Sequence, residues 1–238
     1  MSFRNSVTIV ASPRPRVGKT LLARLLTDFH IHEGRSVAAF DLNSGEGTLA
    51  QFAPEHVTVS DIGGVQGQMA LFDRLVAGDD VTKVVDLGHE SFAAFFTLAN
   101  QIGFAEEARR RGIAPAILFM VTPDATSVEA YRSLRSRLPQ AMLVPVHNEL
   151  LGAAQHRDKY PTGGSGAAQV RFPVLAPGLR RYIEQPPFSF VDSRLANARD
   201  IPIDAHIELQ RWLRKVYLEF RELDLGILLA DLQSSIRL

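Results

Sequence analysis

The chain has 238 residues, 46% of them hydrophobic, enough to bury a sizeable core and suited to one large α/β domain spanning 1–238. Its 26 basic and 26 acidic residues cancel, which argues against strong global attraction to nucleic acid or an anionic membrane, although the first 130 residues carry four more acidic than basic side chains and the remainder four more basic. The lack of cysteine excludes disulfides and thiolate metal sites, and no apolar run approaches the roughly 18 residues that span a bilayer, so a soluble, cytoplasmic protein without integral membrane association is predicted.

Short apolar or β-branched runs alternate with longer segments of helical periodicity, the pattern of βα units that feed a mostly parallel central sheet flanked by helices. Val7–Ala11 is the first predicted strand. A helix from Lys19 to about Glu33 stops at Gly34, and Ser36–Leu42 is a strand ending in Asp41 and Leu42. Val57–Ile62 is a short strand, Gln66–Ala77 a helix, and Val81–Leu87 a buried strand ending in Asp86 and Leu87. Phe92–Arg111 reads as one helix stopped by Gly112, followed by strand Ala116–Thr122, helix Ser127–Leu138 and strand Ala141–His147.

From Tyr160 to Ala168 the composition turns to Pro, Thr, Gly and Ser without apolar periodicity, which predicts a mobile loop. Val170–Leu175 is a last strand, and a short helix over Gly178–Gln185 is ended by Pro186-Pro187. Asp204–Glu222 is amphipathic, with Ile207, Leu209, Trp212, Leu213, Val216 and Phe220 on its buried side. It opens a C-terminal helical segment, 204–238, whose leucine-rich end suits core packing or a subunit contact better than a membrane surface.

Chemistry concentrates where the first strand meets the first helix. Val17-Gly18-Lys19-Thr20 matches the second half of G-x-x-x-x-G-K-[ST], in which backbone N–H groups wrap phosphates, the lysine reaches the terminal ones and the hydroxyl ligates magnesium. The first half differs, because Pro13 stands at the first motif glycine and Arg14, Pro15 and Arg16 follow it. Proline has no N–H to offer, and Arg16 places a Cβ where the loop needs positive φ. Asp86 ends a predicted parallel strand at its C-terminal end, where ligands meet α/β sheets, and suits a magnesium or its water. Asp41 ends the second strand in the same way, with a helix N-cap as its alternative use.

With these residues the chain resembles the MinD/ParA family of deviant Walker-A ATPases, of the SIMIBI class of P-loop proteins. Arg14 stands where the family has a signature lysine that reaches a nucleotide across a face-to-face dimer, and Asp41-Leu42-Asn43 stands at the family's D-x-D. The residue at the position that activates the attacking water is therefore an amide, Asn43. Asp86-Leu87-Gly88 corresponds to the start of switch II, Val121-Thr122-Pro123-Asp124 to the end of the next strand, and Phe172-Pro173-Val174-Leu175 to the loop over the base. Asn148 is placed like an asparagine that reads adenine, for which its carboxamide has the right donor and acceptor; a turn-forming asparagine is the other reading.

The resemblance implies a P-loop NTPase fold, ATP/ADP and Mg2+ as cofactors, and a homodimer that positions or partitions a cargo of unknown identity. Arg14, Arg16, Val17, Gly18, Lys19, Thr20 and Leu21 would hold phosphates, Asn148 the base, and Thr20, Asp41 and Asp86 the metal. Lys19, Arg14 and Asn43 would carry whatever catalysis there is, and Asn43 predicts slow hydrolysis. Two other functions fit the same residues: a pseudo-ATPase scaffold with weakened nucleotide binding, and a dethiobiotin-synthetase-like ATP-dependent biosynthetic enzyme. His89 and Glu90 suit a helix start or a γ-phosphate contact. Arg109-Arg110-Arg111 suits a helix C-terminus or non-specific DNA. His30 and His32, two apart on a helix, do not share a face and are not a metal pair.

Overall fold

The structure is a computed structural model and describes residues 6–43, 48–152, 158–162, 168–191 and 201–236. Seven strands form one sheet: β1 (Ser6–Ala11), β2 (Val37–Leu42), β3 (Val57–Val59), β4 (Thr82–Leu87), β5 (Ala114–Met120), β6 (Met142–Asn148) and β7 (Val170–Phe172). The order is β3-β2-β4-β1-β5-β6-β7 and every pairing is parallel. Helices cover both faces: α1 (Lys19–His32), α2 (Leu49–Phe52), α3 (Val65–Leu75), α4 (Phe92–Gln101), α5 (Phe104–Arg110), α6 (Ala125–Arg137), α7 (Pro177–Ile183) and α8 (Ile203–Ile236). This is a parallel sheet covered by helices on both faces, with the loop leaving its middle strand, β1, and a C-terminal helix added.

A sheet buried on both faces needs strands that are largely apolar, and β5, with the sequence APAILFM, is buried at every position after its first. Side chains still alternate between two cores. Val7, Ile9 and Ala11 of β1 face the core made with α3 to α6, where Phe72, Phe95, Phe104 and Tyr131 meet. Val10 faces the other, where Leu22, Leu25 and Phe29 of α1 pack with Trp212 and Phe220 of α8. The i, i+3, i+7 spacing of those α1 residues puts them on one stripe, which seats α1 across the sheet and aims its N-terminus at the end of β1.

The predicted elements appear with shifts of a few residues and three larger differences. The segment expected as one helix over 92–111 is two, because Gly103 adopts φ 62 and lets the chain turn so that Phe104 enters the core. The strand expected over 57–62 ends at Val59. The C-terminal segment is one continuous helix of 34 residues, in which Leu209, Trp212, Leu213, Val216 and Phe220 are buried as predicted but Ile207 is 42% exposed. Of the loop expected over 160–168, residues 163–167 lie outside the described residues, as do 237–238. Tyr160 is buried, and its hydroxyl donates to the Ser127 hydroxyl at 2.9 Å. Among the described residues no helix is long and apolar enough to cross a membrane.

Candidate functional site

The chain leaves β1 at Ala11, arches through residues 12–18 and enters α1 at Lys19. Gly18 has φ 97, and a Cβ there would meet the Asn148 amide nitrogen at 3.2 Å and Met120 and Phe172 at 3.6 Å. Conformation and space therefore both require glycine. Arg16 also lies in the left-handed region, φ 57, as the reading of its position anticipated. No side chain caps the start of α1, and no acidic residue occupies its first turn, so the dipole and backbone donors of a 14-residue helix face the loop. Lys19 is buried, and its Nζ donates to the Arg14 carbonyl at 2.8 Å across the loop. Burial lowers its pKa, and the negative charge of Asp86 opposes that shift.

Beside the loop, Asp41 and Asp86 stand in register on the adjacent strands β2 and β4. Asp86 is completely buried, and neither of its carboxylate oxygens has a hydrogen-bond partner. Burial pushes its pKa up to about 7, and the nearby Asp41 carboxylate pushes the same way. The Thr20 hydroxyl, Lys19 and the Asn43 amide lie close enough to favour its ionised form, without any of them completing a hydrogen bond to it. A buried carboxylate without a partner and a hydroxyl at a helix N-terminus are oxygen donors suited to a hard cation, so Asp86 and Thr20 fit magnesium. Among the described residues there is no cluster of three or more His, Asp or Glu that would make an all-protein metal site. Magnesium typically needs none, since it keeps waters and takes phosphate oxygens.

Asp41 is equally buried but fully engaged. One oxygen accepts from the Asn43 backbone N–H at 3.0 Å and the Asn43 side-chain amide at 2.9 Å, and the other accepts from Ala50 N–H at 2.8 Å. Asn43 also donates to the Asp86 carbonyl at 3.2 Å. Asp41 thus braces the end of β2 against α2 and orients Asn43, which lines the cavity.

The cavity over the loop has a volume of about 410 Å³. Arg16, Val17, Gly18, Lys19, Thr20, Leu21, Asn43 and Asn148 all line it, whereas Asp41, Asp86 and Arg14 do not. The Arg14 guanidinium turns away to Asp124, donating through Nε at 2.9 Å and through Nη2. Asp124 caps α6 by accepting from Ser127 N–H, and it accepts from the Thr122 hydroxyl at 2.6 Å. The Arg14 hydrogen bonds hold its carboxyl well below the usual carboxylate range.

Asn148 is bound by backbone at both ends of its amide: Nδ2 donates to the Val17 carbonyl and Oδ1 accepts from Leu150 N–H, each at 3.0 Å. Several lining residues carried no sequence signal for the site. Leu150 and Leu151 follow β6, Arg180 comes from α7 and Glu184 caps its C-terminus, and Trp212, expected only as core, lines the cavity from α8. His89 lines the cavity on the β4 side. Of the basic run, Arg110 and Arg111 pair with Glu107 on their own helix.

No family model matches the sequence, and no curated protein sequence matches it. Among solved structures, the MinD cell division protein of Aquifex aeolicus is similar over 88% of this chain and 96% of that one, at 14% identity and a TM-score of 0.47.

Proposed function

We propose that this protein is a nucleotide-dependent switch. It binds a nucleoside triphosphate with magnesium at the loop between β1 and α1, pairs with a second copy in that state, and turns the nucleotide over slowly. The observation that carries this reading is the orphaned carboxylate of Asp86 beside Thr20, at the foot of a helix whose uncapped N-terminus and Lys19 supply positive charge. A buried unpaired acid is expensive unless something completes it, and a magnesium–phosphate unit does. Magnesium bound there would neutralise phosphate charge and fix the terminal phosphates in place.

ATP is the nucleotide the resemblance implies, as it implies a homodimer and the positioning of a cargo. Affinity should be modest. Pro13 and Pro15 have no N–H to give, and the Arg14 N–H is turned to the Ser12 hydroxyl at 3.3 Å. Hydrolysis should be slow, since Asn43 is an amide whose nitrogen is shared between Asp41 and the Asp86 carbonyl, so it offers no base to a water. Arg14 would serve a partner's nucleotide only after leaving Asp124.

Calorimetric titration with triphosphate analogues, with and without magnesium, tests the reading. Magnesium-dependent binding that disappears in Lys19→Ala supports it. No binding at millimolar nucleotide would sink it in favour of a scaffold, and rapid turnover with a small carboxylate substrate would favour a biosynthetic enzyme. Sedimentation with and without nucleotide reports the pairing.

A further inference from the structure

The sheet order divides the cavity into two arms. From the loop after β1, one arm runs toward β4 and β2 and carries His89 and Asn43; the other runs toward β6, β7, α7 and α8. The first arm holds the phosphate and metal groups, so a nucleotide seated on Lys19 extends its base into the second. That arm has broad apolar walls. Phe172 and Trp212 stand with ring centroids 6.2 Å apart, Trp212 is pinned by its indole N–H to the Pro173 carbonyl at 3.1 Å, and Leu150, 53% exposed, also lines the cavity.

The polar groups that could read a base there are few. Asn148, the residue whose position suggested adenine, commits one of its two amide hydrogens to the Val17 carbonyl and one oxygen lone pair to Leu150 N–H, so backbone fixes its orientation and half of its hydrogen-bonding capacity is taken. It works as a brace between the loop and the end of β6. The charged groups there are Arg180 of α7 and Glu184, the residue that caps its C-terminus, one helical turn apart and both lining the cavity. Opposite charges at this spacing commonly pair. Here neither side chain has a hydrogen bond or ion pair to the other or to any described residue, so a planar fork of donors and a bare carboxylate face the arm together.

We infer that this arm reads guanine, with Arg180 and Glu184 as the specificity-determining residues; this rests on the phosphate-site reading above and departs from ATP only in the base. Guanine presents O6 and N7 as adjacent acceptors, which match a guanidinium fork. Next to them it presents N1–H and the 2-amino group as adjacent donors, which a carboxylate accepts together. Adenine answers neither edge fully: beside its N7 acceptor the 6-amino donor would face the arginine, and its N1 lone pair, with no 2-amino group next to it, would face the carboxylate. Each mismatch leaves a charged group unanswered, so the pair rejects adenine as well as selecting guanine.

Titration of the full chain with GTPγS and ATPγS in magnesium, read by calorimetry or Trp212 fluorescence, tests this. The wild-type protein should bind GTPγS at least about tenfold more tightly, and Glu184→Gln should remove that preference while leaving ATPγS within about threefold. The same variant should gain affinity for xanthosine triphosphate, because the glutamine amide can donate to the 2-oxo group and accept from N1–H. Arg180→Gln should also lose the GTPγS preference. Equal affinity for the two analogues, preference for ATPγS, or an equal loss of both in Glu184→Gln, as a ribose contact would give, overturns the inference. If either of the first two results comes with loss of all binding in Lys19→Ala, the phosphate site stands and only the base assignment falls. Absence of binding by any nucleotide removes both.

Discussion

Toward β2 and β4 the cavity stands beside a buried carboxyl group that the fold leaves without a hydrogen-bond partner, while toward β6, β7 and α7 the buried polar groups are already hydrogen-bonded and the unpaired charges stand near the surface. Asp86 has no partner for either oxygen. Asn148 has a partner for both ends of its amide, and the Trp212 indole has one too. The difference separates stability from selectivity. Changes at the first arm should move folding and binding together, since removing or completing a buried charge alters both. Changes to the exposed Glu184 should move selectivity with little effect on folding, because surface charges contribute little to it.

The largest effect expected is from Lys19→Ala, which removes the buried ammonium from the phosphate end. Loss of its charge-assisted contacts should weaken nucleotide binding by about a hundredfold or more, measured by calorimetry. If binding survived, the first arm would not be a phosphate site and the contrast between the arms would collapse.

Asp86→Asn comes next and has a signature in pH. The native carboxyl keeps its proton to about 7, whereas its ordinary value is 3.8. The native state therefore binds more protons than the unfolded chain between these values, and without magnesium stability should fall as pH rises through that window. The shift corresponds to at most about 4 kcal/mol. The amide carries no such charge, so Asp86→Asn should flatten the slope and raise the melting temperature at pH 8 by several degrees, while abolishing the magnesium dependence of binding. Thermal melts from pH 4 to pH 8 check this, and an unchanged slope would show that Asp86 is not the buried acid that titrates.

Asn148→Ala sharpens the comparison from the other side. It leaves the Val17 carbonyl without its buried donor, at a cost of roughly 1–3 kcal/mol, or about 2–4 °C for each kcal/mol. Guanine and adenine nucleotides should weaken alike, because the amide braces the loop. A base-selective loss would return Asn148 to base recognition. Smallest is Arg14→Ala, whose guanidinium and Asp124 partner are 41% and 34% exposed. Melting should scarcely change. If Arg14 acts across a dimer, nucleotide-dependent pairing in sedimentation should be lost without that change.

Much of the first arm was legible in the chain because it is local. A β-branched run, a glycine, a lysine and a hydroxyl residue in succession dictate strand, turn and helix start, and Asp41 and Asp86 sit where each strand ends. Periodicity misled where one residue overrode it: the 3.6-residue pattern runs through Gly103, but its left-handed backbone divides α4 from α5. It also could not separate Ile207, exposed beyond the packed stretch of α8, from Leu209 and Trp212 within it.

By itself, then, the sequence determined the parallel α/β architecture, the strand–loop–helix start at Gly18-Lys19-Thr20, and the acids at the strand ends, because these follow from short-range sterics and the periods of buried strands and helices. Only the tertiary structure decided which groups are left without partners. Arg14 turns to Asp124 some 110 positions away, Asn148 reaches back to Val17, and α7 with its C-cap brings Arg180 and Glu184 to the cavity lining. Hydrogen-bond satisfaction is a property of what packs against a residue, and that is set by contacts distant in the chain.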